Sequence, residues 1–173
     1  NNLENGLGKK IDRVTAKMLR TVQMLDSFSL LFRRNKSKIN FNNQIELYDA
    51  LWDTVICDSS PRSDVEMREH LMYKIVETIQ IAGTLNPQFI PDSSQKRAYE
   101  YLASNGLIRR DGSAVSFFHQ SFYEYTLARH YSETGSLFSV DLKKEIQGLE
   151  IRSTVKAVLD FKRGHDTAKF VDE

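Results

Sequence analysis

From Ile11 to Phe32 apolar side chains fall at Ile11, Val14, Met18, Val22, Leu25, Phe28, Leu31 and Phe32, at intervals of three or four nearly throughout. That spacing lines one face of an α-helix, so the segment is predicted to be one amphipathic helix, or two that abut near Ser27. A basic connection, Arg33-Arg34-Asn35-Lys36-Ser37-Lys38, follows. Ile45, Tyr48, Leu51, Trp52, Val55 and Ile56 then predict a second helix over Asn43 to Cys57. Asp58-Ser59-Ser60-Pro61 combines cap-forming residues with a proline that cannot continue a helix, which ends one element and opens the next. Val65, Met67, Leu71, Met72, Ile75, Val76 and Ile79 place the third helix between Ser63 and Ile81. Gly83 and the two prolines of Asn86-Pro87-Gln88-Phe89-Ile90-Pro91 turn the chain into an extended loop.

The pattern then changes period. Asp92-Ser93-Ser94 is an N-cap cluster before Ala98, Tyr99, Tyr101 and Leu102, with Asn105-Gly106 as the stop of a short fourth helix. Leu107 to Arg110 and Val115 to Phe118 are β-prone runs around Asp111-Gly112, a tight-turn signal, and predict a hairpin. Phe122, Tyr125, Leu127, Ala128 and Tyr131 predict a fifth helix from His119 to Glu133, stopped by Thr134-Gly135-Ser136. Three short helices, broken near Gly148 and Gly164, are expected in the remainder. Helix followed by hairpin is the core of a winged helix. The expected fold is therefore mainly α: a helical subdomain over 1–83, a winged helix with one β-hairpin over 84–134, and a helical linker or the start of a repeat region over 135–173.

Composition narrows the function classes. Hydrophobic residues at 40% and charged residues at 27% are an ordinary globular balance, and no run approaches the roughly 20 apolar residues of a membrane span. Twenty-four Lys and Arg nearly cancel 23 Asp and Glu, so no general field favours nucleic acid. The single cysteine, Cys57, has no disulfide partner, and four histidines are too scattered for a metal site; a cytoplasmic setting is expected. The opening residues show no signal-peptide pattern and are expected to begin partway through a longer protein.

The run from Val115 to Tyr131 holds the main candidate chemistry. A strand hands directly to a helix whose first residue is His119, and a helix N-terminus presents backbone N–H groups and positive dipole to a phosphate. His119, Gln120 and Ser121 are the candidate phosphate contacts; alternatively His119 caps its own helix or sits at a packed strand end. Glu124 could serve as a general base, but nothing supplies a nucleophile or second carboxylate, so a pairing with Arg129 or a neighbouring helix is expected instead. His130 is expected to be structural or solvent-exposed, and the aromatic residues to form core and not a stacking platform for bases. The basic patches at Arg33 to Lys36 and Arg109-Arg110 read as solvated loop and wing charges. The candidate recognition helix carries only Lys96, Arg97 and Glu100.

Phe117, His119, Ser121, Phe122, Glu124, Tyr125 and Ala128 match the Phe-x-His-x-(Ser/Thr)-Phe-x-Glu-(Phe/Tyr)-x-Ala-Ala pattern that closes the winged helix of NACHT-type STAND ATPases. Upstream, Ile45 to Trp52 resembles the Arg-x-Glu-Leu-Tyr helix after that family's ATPase core, and Ile151 to Asp166 is similar to its linker helix. The resemblance implies a regulatory segment in signalling or antiviral defence, with His119 on the β-phosphate of ADP in a closed state. It implies ADP or ATP with magnesium in the parent protein, and no cofactor in this segment alone. It also implies an ATPase core upstream, sensor repeats downstream and homo-oligomerisation when active, while the charge balance and the lack of a long apolar run argue against a nucleic acid and a membrane as partners. Two departures bear on this. Val22 to Phe32 lacks the family's proline beside adenine, so no adenine contact is expected. No Gly-x-x-x-x-Gly-Lys-(Ser/Thr) run occurs, so the chain is not expected to be an enzyme by itself. The rival readings are a DNA-binding winged-helix regulator and a helical protein–protein adaptor.

Overall fold

The structure, a computed structural model, describes residues 11–33, 40–58 and 61–134 and, beyond them, helical residues 156, 158–163 and 165. Two compact units result, Asn1–Ser60 and Pro61–Glu173. The first holds α1 (Arg13–Met18), α2 (Val22–Phe32) and α3 (Gln44–Val55). Asp12 caps α1 by accepting the Thr15 N–H at 2.7 Å. The break expected near Ser27 falls instead at Leu19 to Thr21, where Thr21 is extended at the start of α2. Ser27 is buried inside α2, and its hydroxyl donates to the Gln23 carbonyl at 2.8 Å, which lets a serine sit in a helix interior. Val14 and Val22 are 51% and 73% exposed, so the buried face of this region is narrower than its apolar spacing implied.

α3 begins with reciprocal capping. Asn43 accepts the Glu46 N–H at 2.9 Å, while the Glu46 carboxylate accepts the Asn42 N–H at 3.2 Å and its Nδ2 at 2.7 Å. α3 packs on α2, and Met24, Phe28, Leu31, Leu47, Tyr48, Leu51, Trp52 and Val55 are buried. The buried Thr15 hydroxyl accepts the Phe41 N–H at 2.7 Å and donates to the Phe41 carbonyl at 3.2 Å, tying α1 to the chain ahead of α3.

The second unit holds α4 (Arg62–Ala82), α5 (Lys96–Ser104), β1 (Ile108–Asp111), β2 (Ala114–Phe117) and α6 (Gln120–Thr134). Gly83 ends α4 in the left-handed region at φ 63°, which a residue without Cβ adopts freely. The next stretch runs along the edge of β2: Phe89 N donates to Ser113 O at 2.9 Å and Val115 N to Pro87 O at 3.0 Å. Asp92 accepts the Ser94 hydroxyl at 2.6 Å and the N–H groups of Ser94 and Gln95 at 3.0 Å, so the expected cap residue builds a turn and α5 starts four residues later than Asp92. The Ser94 hydroxyl, first among these bonds, holds the Asp92 carboxyl below its ordinary range. β1 and β2 pair antiparallel with Ile108 opposite Phe117 and Asp111 opposite Ala114, which leaves Gly112 and Ser113 as the turn.

α4 packs on both α5 and α6. The helix assigned from sequence to a subdomain over 1–83 thus shares a compact unit with the hairpin, and the units divide between Ser60 and Pro61. The cause lies in the face α4 buries: Leu71, Met72, Ile75, Val76 and Ile79, with the guanidinium of buried Arg68 at 3.7 Å from the Tyr101 ring centroid on α5. Helix, edge segment, helix, hairpin and helix, with the edge segment beside the second hairpin strand, is the winged-helix order in a mainly α chain with one β-hairpin. Most of the three short helices expected between Leu137 and Val171 lie outside the described residues. Within 156–165, Val158 and Phe161 are buried, and Phe161 meets Tyr125 edge-on at 5.5 Å.

Candidate functional site

β2 delivers the chain to α6 with little freedom at the joint. Val115 and Phe117 are buried on the core face of the hairpin, and Phe118 N donates to Leu107 O at 3.1 Å, extending the hairpin by one bond. His119 follows. Its carbonyl accepts the N–H groups of Phe122 and Tyr123 at 3.1 and 3.2 Å, so His119 is the residue ahead of the helix and Gln120 its first helical residue. This is one position later than expected for the helix start. The imidazole is half-buried and tilted against the Phe118 ring at 4.7 Å.

His119, Gln120 and Ser121 are therefore brought to the positive end of α6, whose first turn carries no acidic residue. Their side chains do not converge equally. Gln120 is exposed, and its amide donates along the helix to Glu124 Oε1 at 3.1 Å. The expected pairing of Glu124 with Arg129 does not form in the positions described: residues five apart lie on different sides of a helix, whereas Glu133 is four from Arg129 and on the same side. Arg129 Nε accordingly meets Glu133 Oε1 at 2.8 Å. The joint thus sets the helix end beside a half-buried imidazole whose Nε2 is itself buried.

A second polar cluster joins the far half of α6 to α4, and the sequence did not reveal it. Tyr73 donates its hydroxyl to Glu133 Oε2 at 2.5 Å, Glu77 Oε1 lies 3.1 Å from His130 Nε2, and Gln80 Nε2 donates to the Tyr131 hydroxyl at 3.1 Å. The Tyr73 ring stacks on His130 at 4.6 Å. Burial, then the Glu133 hydrogen bond and charge, push the Tyr73 hydroxyl above the ordinary tyrosine range. Burial works against the charge on Arg129, but Tyr125, Glu133 and Tyr73 outweigh it and raise its pKa. His130 is thus structural. The i, i+4 spacings on each helix were visible, but pairings some 50 to 60 residues apart in sequence carry no local signal.

The basic side chains around the hairpin are exposed and spread over separate elements. Arg97 pairs with Asp64 at 3.0 Å, Arg110 lies 5.8 Å from the Tyr99 ring centroid, and Arg109 is exposed on β1. No His, Cys, Asp and Glu grouping among the described residues could hold a metal ion, and no described helix is long and apolar enough to cross a membrane. No protein-family model matches the chain, and no curated protein matches it.

Proposed function

We propose that this chain is the regulatory winged-helix segment of a STAND-type signalling ATPase, in which His119 contacts the β-phosphate of ADP and holds the upstream ATPase core closed. The observation that carries the reading is the position of His119 at the strand-to-helix joint, ahead of the N-terminus of α6, inside the Phe117-to-Ala128 motif. The aromatic members of that motif support it by being structural: Phe117, Phe122 and Tyr125 are buried, which leaves the half-buried imidazole and the helix end as its chemically active part. The magnesium and the triphosphate cradle belong to the upstream core, because the 173 residues hold no phosphate loop with its lysine. ADP release and trigger recognition would shift a closed-to-open equilibrium that frees the winged helix, with homo-oligomerisation following. The DNA-binding alternative loses support from the near balance of 24 Lys and Arg against 23 Asp and Glu and from α5, which carries only Lys96 and Arg97 as basic residues, Arg97 being paired with Asp64.

The test is ADP retention in the longer protein. His119→Ala removes one hydrogen bond to a charged group, about 1.5–3 kcal/mol, so ADP affinity should fall roughly 10- to 150-fold. Ser132→Ala, an exposed change on the same helix, is the control. Equal ADP off-rates for wild type and His119→Ala sink the reading, as does a reading frame with no upstream nucleotide-binding core.

A further inference from the structure

An unbroken line of ring contacts runs from His119 to the C-terminal helical residues. His119 meets Phe118 at 4.7 Å, Phe118 meets Phe122 at 5.1 Å, Phe122 stacks on Tyr125 at 5.6 Å, and Tyr125 meets Phe161 at 5.5 Å. Beyond it, the His165 ring stacks on Phe161 at 4.2 Å, and His165 Nδ1 lies 2.9 Å from the Phe161 carbonyl. Phe118, Phe122, Tyr125 and Phe161 are all buried. Three consequences follow from packing alone. Rings in a dense interior have few alternative rotamers, so the position of each limits its neighbour. Phe122 and Tyr125 are three apart on α6, so the line passes along one face of that helix. Phe161 meets α6 through the Tyr125 ring, whereas Leu159 in the same segment is 40% exposed.

We propose that Phe161 and Tyr125 are positioning residues for His119: docking of the C-terminal helical residues on α6 fixes the orientation of the imidazole through the intervening rings, and undocking releases it. The consequence for nucleotide retention rests on the proposed role of His119, but the coupling itself is a property of this chain and is measurable without nucleotide. Residues C-terminal to α6 thereby gain a route to the phosphate-facing end of the winged helix that needs no movement of the hairpin.

The experiment is NMR of the whole 173-residue chain, reading the imidazole carbon-bound proton signals of His119 in wild type, Phe161→Ala, Phe161→Leu and Leu159→Ala. Phe161 is separated from His119 by three intervening rings, so its own ring-current field at the imidazole is small and a shift there reports a change in imidazole placement. The expected result is displaced His119 signals in Phe161→Ala, a smaller displacement in Phe161→Leu, and none in Leu159→Ala, with hairpin amide signals unchanged. Should Phe161→Ala fail to fold, Phe161→Leu, which keeps apolar volume, carries the test. Unmoved His119 signals while those of Tyr125 move would overturn the proposal, because the segment would then have been disturbed without transmission. In the longer protein, Phe161→Ala should speed ADP release severalfold in the wild-type background and leave it unchanged in His119→Ala. If His119→Ala speeds release and Phe161→Ala does not, the coupling is refuted and the function stands. If His119→Ala has no effect, the function falls while the NMR result still decides the coupling.

Discussion

Replacing Tyr73 by phenylalanine removes one hydroxyl from the seam between α4 and α6, and with it the bond to Glu133 and an interaction with Arg129. The ring, its stack on His130 and its burial are retained, and the change removes only the hydroxyl that donates to Glu133 Oε2 at 2.5 Å. A hydrogen bond to a charged group contributes about 1.5–3 kcal/mol. Two features place Tyr73→Phe below the middle of that range. The Glu133 side chain is 45% exposed, so water can replace the lost donor, and Arg129 still holds the other carboxylate oxygen at 2.8 Å. The expected loss is about 1 kcal/mol, a fall in Tm of roughly 3–6 °C for a unit of this size. Equilibrium denaturation in urea, followed by far-UV circular dichroism, measures it. A double-mutant cycle with Glu133→Ala, which removes the acceptor, separates the Tyr73–Glu133 interaction from other effects of each change. Its pH dependence has a definite sign. The Tyr73 hydroxyl keeps its proton in the fold to a higher pH than in the unfolded chain, so its contribution is complete below about pH 10, the unfolded tyrosine value, and declines as pH rises beyond it. The stability gap between wild type and Tyr73→Phe should therefore narrow above about pH 10. Equal stability at neutral pH, or additive effects in the cycle, would show that the short contact contributes nothing.

Trp52 and Phe117 are 0% and 6% exposed, so truncating either to alanine should cost about 3–5 kcal/mol in urea denaturation; a loss under about 1 kcal/mol would contradict their burial. Gly112 stands at φ 59° with nothing within 4 Å of an added Cβ, so Gly112→Ala should cost about 1–2 kcal/mol through backbone conformation alone, and Gly112→Asn, which tolerates that region better, should lose less.

The helices and the hairpin were legible because their signals are local. Asp12 and Asn43 cap the helices that follow them, Gly83 stops α4, and Gly112, flagged by the Asp111-Gly112 signal, turns the hairpin with Ser113, each by chemistry confined to a few neighbouring residues. Apolar spacing found the buried faces of α3 and α4 but overstated that of residues 11 to 32, since Val14 and Val22 follow the period and yet meet solvent. Periodicity identifies a stripe without saying how much of it a neighbour covers. The grouping of α4 with the hairpin escaped the sequence for a related reason: Gly83 and the prolines punctuate the chain strongly, but a punctuated loop is not a division between cores. At the candidate site, the motif located His119 to within one residue of its helix. It could not show Gln120 turned toward Glu124, because that choice depends on rotamers.

His130 within α6 and His119 just ahead of it show how the helix is held. Tyr73 meets Glu133, and Glu77 meets His130, so the partner number on α6 falls as that on α4 rises, and the helices run antiparallel at this seam. Apolar packing tolerates a helix sliding or rolling by a fraction of a turn, whereas hydrogen bonds weaken steeply when misaligned. With Gln80 and Tyr131 added, the seam fixes both the axial register and the rotation of the far half of α6 against α4. A helix of 15 residues is stiff over its length of about 22 Å, so fixing one half fixes where the other begins. The placement of His119 is thus set from two directions: by β2, which enters the joint through the Phe118-to-Leu107 bond, and by the seam more than two turns away. His130→Ala would disturb the second constraint, which makes it a poor control for His119 in any measurement of ligand retention. An effect of that substitution on ADP release would report the register of α6, and only a change that spares the seam, such as Ser132→Ala, separates contact from placement.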